Sequence, residues 1–137
     1  MAEIVQAQAN QILTATLAIG GSNTVGATSP LKLKLTSTAP SSTTAGTELS
    51  ATGYTAGGTA ITFATASGGS TSGPTGSAIS WTNSGGSSWG SIVGLEVWDT
   101  AGTPVRWWFG TWSGQPIVIA AGNTFSVSVS AVTVTLS

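Results

Sequence analysis

The sequence predicts an all-β domain, an antiparallel β-sandwich of Ig-like or jelly-roll-like type with one short N-terminal helix. Three observations carry that expectation. Apolar and polar residues alternate with period two in several short stretches, among them Leu31-Lys32-Leu33-Lys34-Leu35 and Val132-Thr133-Val134-Thr135-Leu136. Clusters of Gly, Ser, Thr, Asn and Pro separate these stretches, as turn chemistry requires. Helical spacing of apolar residues is confined to the first twenty positions, and no repeat of fixed period runs through the chain.

In chain order, residues 3–19 are the helical candidate. Val5, Ala9, Ile12, Leu13 and Leu17 fall at near-helical spacing, and Gly20-Gly21-Ser22-Asn23 stops the pattern. The segment 1–22 is expected either to lie across an open end of the sandwich or to act as an arm that docks on a partner. Residues 31–137 form the sandwich, the whole being a single domain. The 31–35 stretch is a half-buried strand with its lysines outward, a pattern that also guards an edge. A loop-like stretch, 38–58, contains Pro40, Glu48 and Tyr54. Residues 59–64 and 78–81 read as strands, with 67–77 as an exposed turn region between them. Turn residues Ala121-Gly122-Asn123-Thr124 precede two alternating stretches, Phe125 to Val129 and Val132 to Leu136. The total is seven or eight short strands.

The richest stretch is 89–112, which holds five of the six tryptophans. Two β-prone runs, 92–98 and 105–112, flank Asp99-Thr100-Ala101-Gly102-Thr103-Pro104. Asp bonds its own backbone two residues on, Gly accepts positive φ and Pro fixes φ, so the prediction is a hairpin with a long loop. Strict alternation places Val93, Leu95, Val97, Val105, Trp107, Phe109 and Thr111 on a core face. Ile92, Gly94, Glu96, Trp98, Arg106, Trp108, Gly110 and Trp112 then share the other face. That second face is covered either by another sheet of the same domain or by another body. Trp98, Arg106, Trp108 and Trp112 are therefore the candidate protein-interface residues, since an aromatic side chain buries about 150–250 Å². Glu96 and Arg106 are expected to pair across the hairpin.

Composition narrows the chemistry. Charged residues are 5% of the 137-residue chain and the net charge is −1, against about 25% charged in an average domain. Three cations make no basic patch, which argues against nucleic acid. With no His and no Cys, His-dependent nucleophile systems, disulfides and Cys or His metal ligands drop out. Glu96 and Asp99 are three residues apart, a spacing too common to mark a glycosidase pair. No oxygen-ligand calcium loop or phosphate-binding glycine motif is present. We expect no catalytic residues, no metal and no cofactor. No run approaches the roughly 20 apolar residues of a membrane span, and the start lacks the positive region of a secretory signal.

Several segments carry a family resemblance: G-Y-T-A-G-G-T-A-I-T-F (53–63), A-I-S-W (78–81), V-G-L-E-V-W-D-T-A-G-T-P-V-R-W-W-F-G (93–110) and A-G-N-T-F…V-T-V-T-L (121–136). With I-L-T-A-T-L (12–17), L-K-L-K-L and T-E-L (47–49), they resemble small virion structural proteins of tailed bacteriophages, of the tail-fibre-like, minor structural and capsid-decoration type. The resemblance spans most of the chain in order and brings no catalytic or cofactor residues. It implies a structural part of a virion. A compact domain without a stalk fits a capsid decoration protein on the outer shell, bound to the major capsid protein and self-associated as a homotrimer. A tail or tail-fibre component is the alternative placement. A tryptophan-based carbohydrate-binding module is the alternative of another class, distinguished by whether Trp98, Trp108 and Trp112 form a flat exposed strip.

Overall fold

Leucine and lysine alternate at 31–35 because one side of that strand is core and the other is not. In the computed structural model, which describes residues 2–17 and 26–135, Leu33 and Leu35 are fully buried while Lys32 and Lys34 are half-buried on the opposite face. This strand, β2 (Leu31–Thr36), belongs to a set of nine among the described residues. The others are β1 (Ala2–Ile4), β3 (Thr59–Ile61), β4 (Ser70–Gly73), β5 (Ile79–Thr82), β6 (Gly94–Trp98), β7 (Arg106–Thr111), β8 (Thr124–Val127) and β9 (Val132–Thr135). One helix, α1 (Gln6–Leu17), follows β1. Among the described residues the chain is thus an all-β, sandwich-like fold with a single short helix, as the sequence predicts.

The larger sheet runs β3-β2-β6-β7-β1-β9-β4, and β5 pairs with β8 in a second sheet. Among the described residues all pairings are antiparallel except one: a single parallel pair, Ala2↔Val134, joins β1 to β9. Buried side chains of β2 and β6 (Leu33, Leu35, Leu95, Val97) form one cluster with Ile79, Trp81, Val127, Val132 and Val134 from β5, β8 and β9. Aromatic rings fill its centre. Trp81 stacks on Phe125 at 6.2 Å, Phe125 meets Trp112 edge-on at 5.6 Å, and Tyr54 leans on both Trp81 and Trp89. Trp81 Nε1 donates to Thr59 Oγ1 and Trp89 Nε1 to Thr52 O, so these indoles are buried without losing a hydrogen bond.

Two elements differ from the sequence reading. The helix starts at Gln6 rather than at residue 3, and Ala2–Ile4 instead form β1, paired antiparallel with β7 from Ala2↔Gly110 to Ile4↔Trp108. The expected helical residues 18–19, their Gly-Gly stop and Leu136 lie outside the described residues. The stretch 67–77, expected as exposed turn, contains β4. Its Ser and Thr side chains carry no apolar period, so the strand is specified by backbone pairing with β9, from Ser70↔Thr135 to Gly73↔Val132. The free edge of β4 is occupied in turn by the chain after β3: Ala64 N–H donates to Ser72 O and Thr75 N–H to Thr62 O. The two ends of the larger sheet therefore meet, which removes most of its exposed edge. Val129, expected to continue the β8 alternation, lies beyond that strand and is exposed.

Candidate functional site

The charged side chains gather on the face of β2, β6 and β7 that points away from the aromatic core. Lys32, Lys34 and Glu96 reach it by alternation, and a β-bulge keeps Arg106 there although Trp108 turns inward. Val97 pairs with Trp108, but the next residue, Trp98, pairs with Arg106, so Trp107 is the extra residue. A bulge breaks the two-residue period. Arg106 consequently shares the outer face with Glu96, Trp98 and Phe109, whereas Trp108 and Trp112 turn inward and pack against the core cluster.

This corrects the hairpin faces expected from strict alternation. Trp107 and Phe109 are buried, but on the outer side: Trp107 Nε1 donates to Asp99, and the Arg106 guanidinium lies 5.6 Å from the Phe109 ring centre. Ile92, assigned to the outer face, is fully buried in the core. The four candidate interface residues Trp98, Arg106, Trp108 and Trp112 therefore do not share one face. Trp98 and Arg106 lie together on one side, and Trp108 and Trp112 on the other.

Glu96 is the centre of the outer face. Its side chain and that of Arg106 are 2% and 7% exposed, with Arg106 Nη1 2.8 Å from Glu96 Oε1. The expected ion pair is therefore present, and it is buried. Three further hydrogen bonds complete it. Gly46 N–H donates to Glu96 Oε1, Trp98 Nε1 donates to Oε2, and Arg106 Nη1 also donates to Thr44 O, each at 2.8 Å. Both Thr44 and Gly46 sit on the loop 37–47, which folds back over the sheet as a strap. Pro40 of that strap lies against Gly94, where a Cβ would meet the Pro40 Cδ at 2.8 Å. That Cβ would also meet Gly110 O of the neighbouring strand at 2.7 Å, so the sheet partner and the strap both require a glycine at position 94. Charge pairing covered by backbone donors and acceptors is the arrangement that makes a buried ion pair tolerable.

Two adjoining networks extend it. Lys34 Nζ lies 3.3 Å from Glu48 Oε2 and 4.6 Å above the Trp98 ring centre. Glu48 Oε1 accepts from the Tyr54 hydroxyl and from Gly57 N–H. Burial pushes the Tyr54 phenol well above its ordinary range; the bond from Leu35 N–H opposes that, and the Glu48 carboxylate reinforces it. At the hairpin loop Asp99 is nearly buried. Burial works to raise its pKa, but four donors outweigh it, namely the N–H groups of Val105, Thr28 and Ala101 and the Trp107 indole, and the carboxyl is held below its usual range. The Ala101 bond is the Asp-to-backbone turn that the loop composition predicts.

Thus the outer face carries carboxylates saturated with donors and cations largely spent on carboxylates. A shallow groove lies beside the half-buried Trp98, lined by Lys32, Lys34, Thr100 and Pro104. Among the described residues no group of three or more His, Cys, Asp or Glu side chains comes together, and no helix is long and apolar enough to cross a membrane. Sequence reasoning missed Thr44, Gly46 and Tyr54. The strap contributes mostly backbone atoms, which leave no mark in a side-chain pattern, and Tyr54 stood alone in a stretch read as loop.

No family model matches the chain, and no curated protein does.

Proposed function

We propose that this chain is a non-catalytic structural protein of a tailed-phage virion, seated on the outer capsid surface as a decoration protein. The observation that carries the reading is that its reactive chemistry is turned inward. Glu96, Arg106 and Asp99 are buried and bonded to one another or to the backbone. What faces outward on the second sheet is a set of uncharged hydroxyls: Ser80 with Ser126 at 2.7 Å and Thr82 with Thr124 at 2.8 Å. Such a body acts through shape and contact area rather than through bond-making. Bridging shell subunits buries surface and raises the free energy needed to separate them. The resemblance to virion structural proteins supports the same direction, and the partner it implies is the major capsid protein. A tail component is the other placement that resemblance allows. The carbohydrate-binding alternative lacks its flat strip, because Trp108 and Trp112 pack on the core while Trp98 lies on the opposite face of the hairpin.

The test is reconstitution. Purified protein is added to tailed-phage capsids stripped of their accessory proteins, and to isolated tails, and bound mass is measured after sedimentation. Saturable binding to capsids at a fixed ratio to the major subunit, with a higher temperature of shell rupture, is the expected result. Saturation on tails alone would move the protein to the tail, and binding to neither would remove the virion reading.

A further inference from the structure

We propose that the groove beside Trp98 is a binding site for one carboxylated sugar residue, a hexuronate or another pyranose that carries its anion on the ring. Such a site would serve on a capsid, on a tail or on the free chain alike, so nothing here rests on the virion reading.

Lys32 supplies the charge. Of the three lysine and arginine side chains, Lys34 and Arg106 are each paired with a carboxylate, at 3.3 and 2.8 Å. Lys32 has no such partner among the described residues, yet it is half-buried and lines the groove. A cation held partly out of water and left unpaired favours an anion that arrives from outside.

Trp98 supplies the apolar surface. It stands directly opposite Lys32 across the β2–β6 ladder. Its Nε1–H donates to Glu96 Oε2 at 2.8 Å, and Lys34 Nζ lies 4.6 Å from its ring centre. The half-exposed indole is therefore fixed before any ligand arrives, and it lines the same groove. Opposed residues on antiparallel strands have Cβ atoms about 4.5–5.5 Å apart, which is the width of one pyranose ring. A ligand that meets both residues must carry its negative charge at the edge of a ring with an apolar face, which is the chemistry of a hexuronate. An isolated anion would use Lys32 alone, and a neutral sugar would use Trp98 alone.

Size and charge agree with a single sugar residue. The groove has a volume of about 270 Å³, just under the roughly 300–1,000 Å³ of drug-sized sites, so it takes one ring rather than a chain of them. Asp99 also borders it. Its oxygens accept from the Thr28, Ala101 and Val105 N–H groups and from the Trp107 indole, so its charge is compensated from the protein side. One charged ring on one tryptophan is also what separates this site from a module that needs a flat strip of several.

The test is an NMR titration of the full, isotope-labelled chain. Methyl glucuronide should bind with a dissociation constant in the millimolar range, as one ring with one charge-assisted bond implies. It should shift the Trp98 indole signal and the Lys32 and Thr100 amides. Methyl glucoside and acetate each lack one half of the ligand. Both should bind at least about ten-fold more weakly, the factor that loss of an ionic hydrogen bond brings at its lower end. Lys32→Gln should lose the same factor with unchanged circular dichroism, and Lys32→Arg should retain binding. Acetate or methyl glucoside binding as tightly as the glucuronide would overturn the proposal. So would a Lys32→Gln variant of unchanged affinity, shifts confined to other parts of the chain, or no binding of the glucuronide at all. If Lys32→Gln does not fold, the three ligands titrated into wild type and Lys32→Arg decide the matter. Capsid sedimentation uses none of these ligands, so the virion reading and this one fail independently.

Discussion

Replacing Glu96 by Gln keeps the shape of the side chain and removes its charge, which isolates what the buried pair contributes. The Arg106 guanidinium would stay 7% exposed with no counter-charge. The amide would also present an N–H₂ group either to Trp98 Nε1 or to the donors on Oε1, leaving one of them facing another donor. Breaking one partner of a buried pair costs about 3–5 kcal/mol. With a urea m-value of about 2 kcal/mol/M for a domain of this size, the midpoint should fall by about 2 M. Lys34→Gln is the internal control. It removes an ion pair whose side chains are 20% and 30% exposed, and such partly exposed pairs contribute about 0–1 kcal/mol. The assay is equilibrium urea unfolding followed by tryptophan fluorescence and circular dichroism, whose coincidence checks two-state behaviour. If Glu96→Gln falls by no more than Lys34→Gln does, the pair is solvated and the strap 37–47 does not seal it.

Asp99 has a folded-state pKa below its ordinary 3.8. Its contribution is therefore complete above that value and is lost as pH falls through the lower folded-state value. Urea midpoints measured down to about pH 2 should show this acid loss in wild type and lack that component in Asp99→Asn. Tyr54 is shifted the other way. Its neutral form is favoured by the fold, so its stabilising effect holds below 10.0 and declines as pH rises beyond it. The chain has one tyrosine, so phenolate absorbance should appear only together with unfolding at alkaline pH. Trp108→Ala should destabilise the monomer by about 2–4 kcal/mol, toward the lower end of large-to-small core changes because the ring is half-buried; thermal unfolding reads it directly. A Trp108→Ala protein with unchanged stability would return that residue to the outer face.

Much of the fold was legible because its signals are local. Alternation in Leu31 to Leu35 and in Val132 to Thr135, and the turn chemistry of Asp99 to Pro104, each act within a few residues and survive in the structure. The pairing of Glu96 with Arg106 was also legible, since opposite charges flanking a turn have few other partners. Strand β4 was not, because Ser70–Gly73 has no apolar face and its place is dictated by β9, about sixty residues away in the chain.

By itself, then, the amino-acid sequence determined the class of fold, the position of the central hairpin and the scarcity of charge. Only the tertiary structure decided which way the tryptophans face. A one-residue bulge opposite Trp98 reverses the side reached by every residue of β7 beyond it, so Trp108 and Trp112 enter the core while Arg106 stays with Glu96 under the strap. Strict alternation cannot register that shift, because a bulge adds a residue without changing the composition on either side of it. The strap is set in the same way. Thr44 and Gly46 reach the ion pair through a carbonyl and an amide that every residue type shares, and only the path of the chain brings them there.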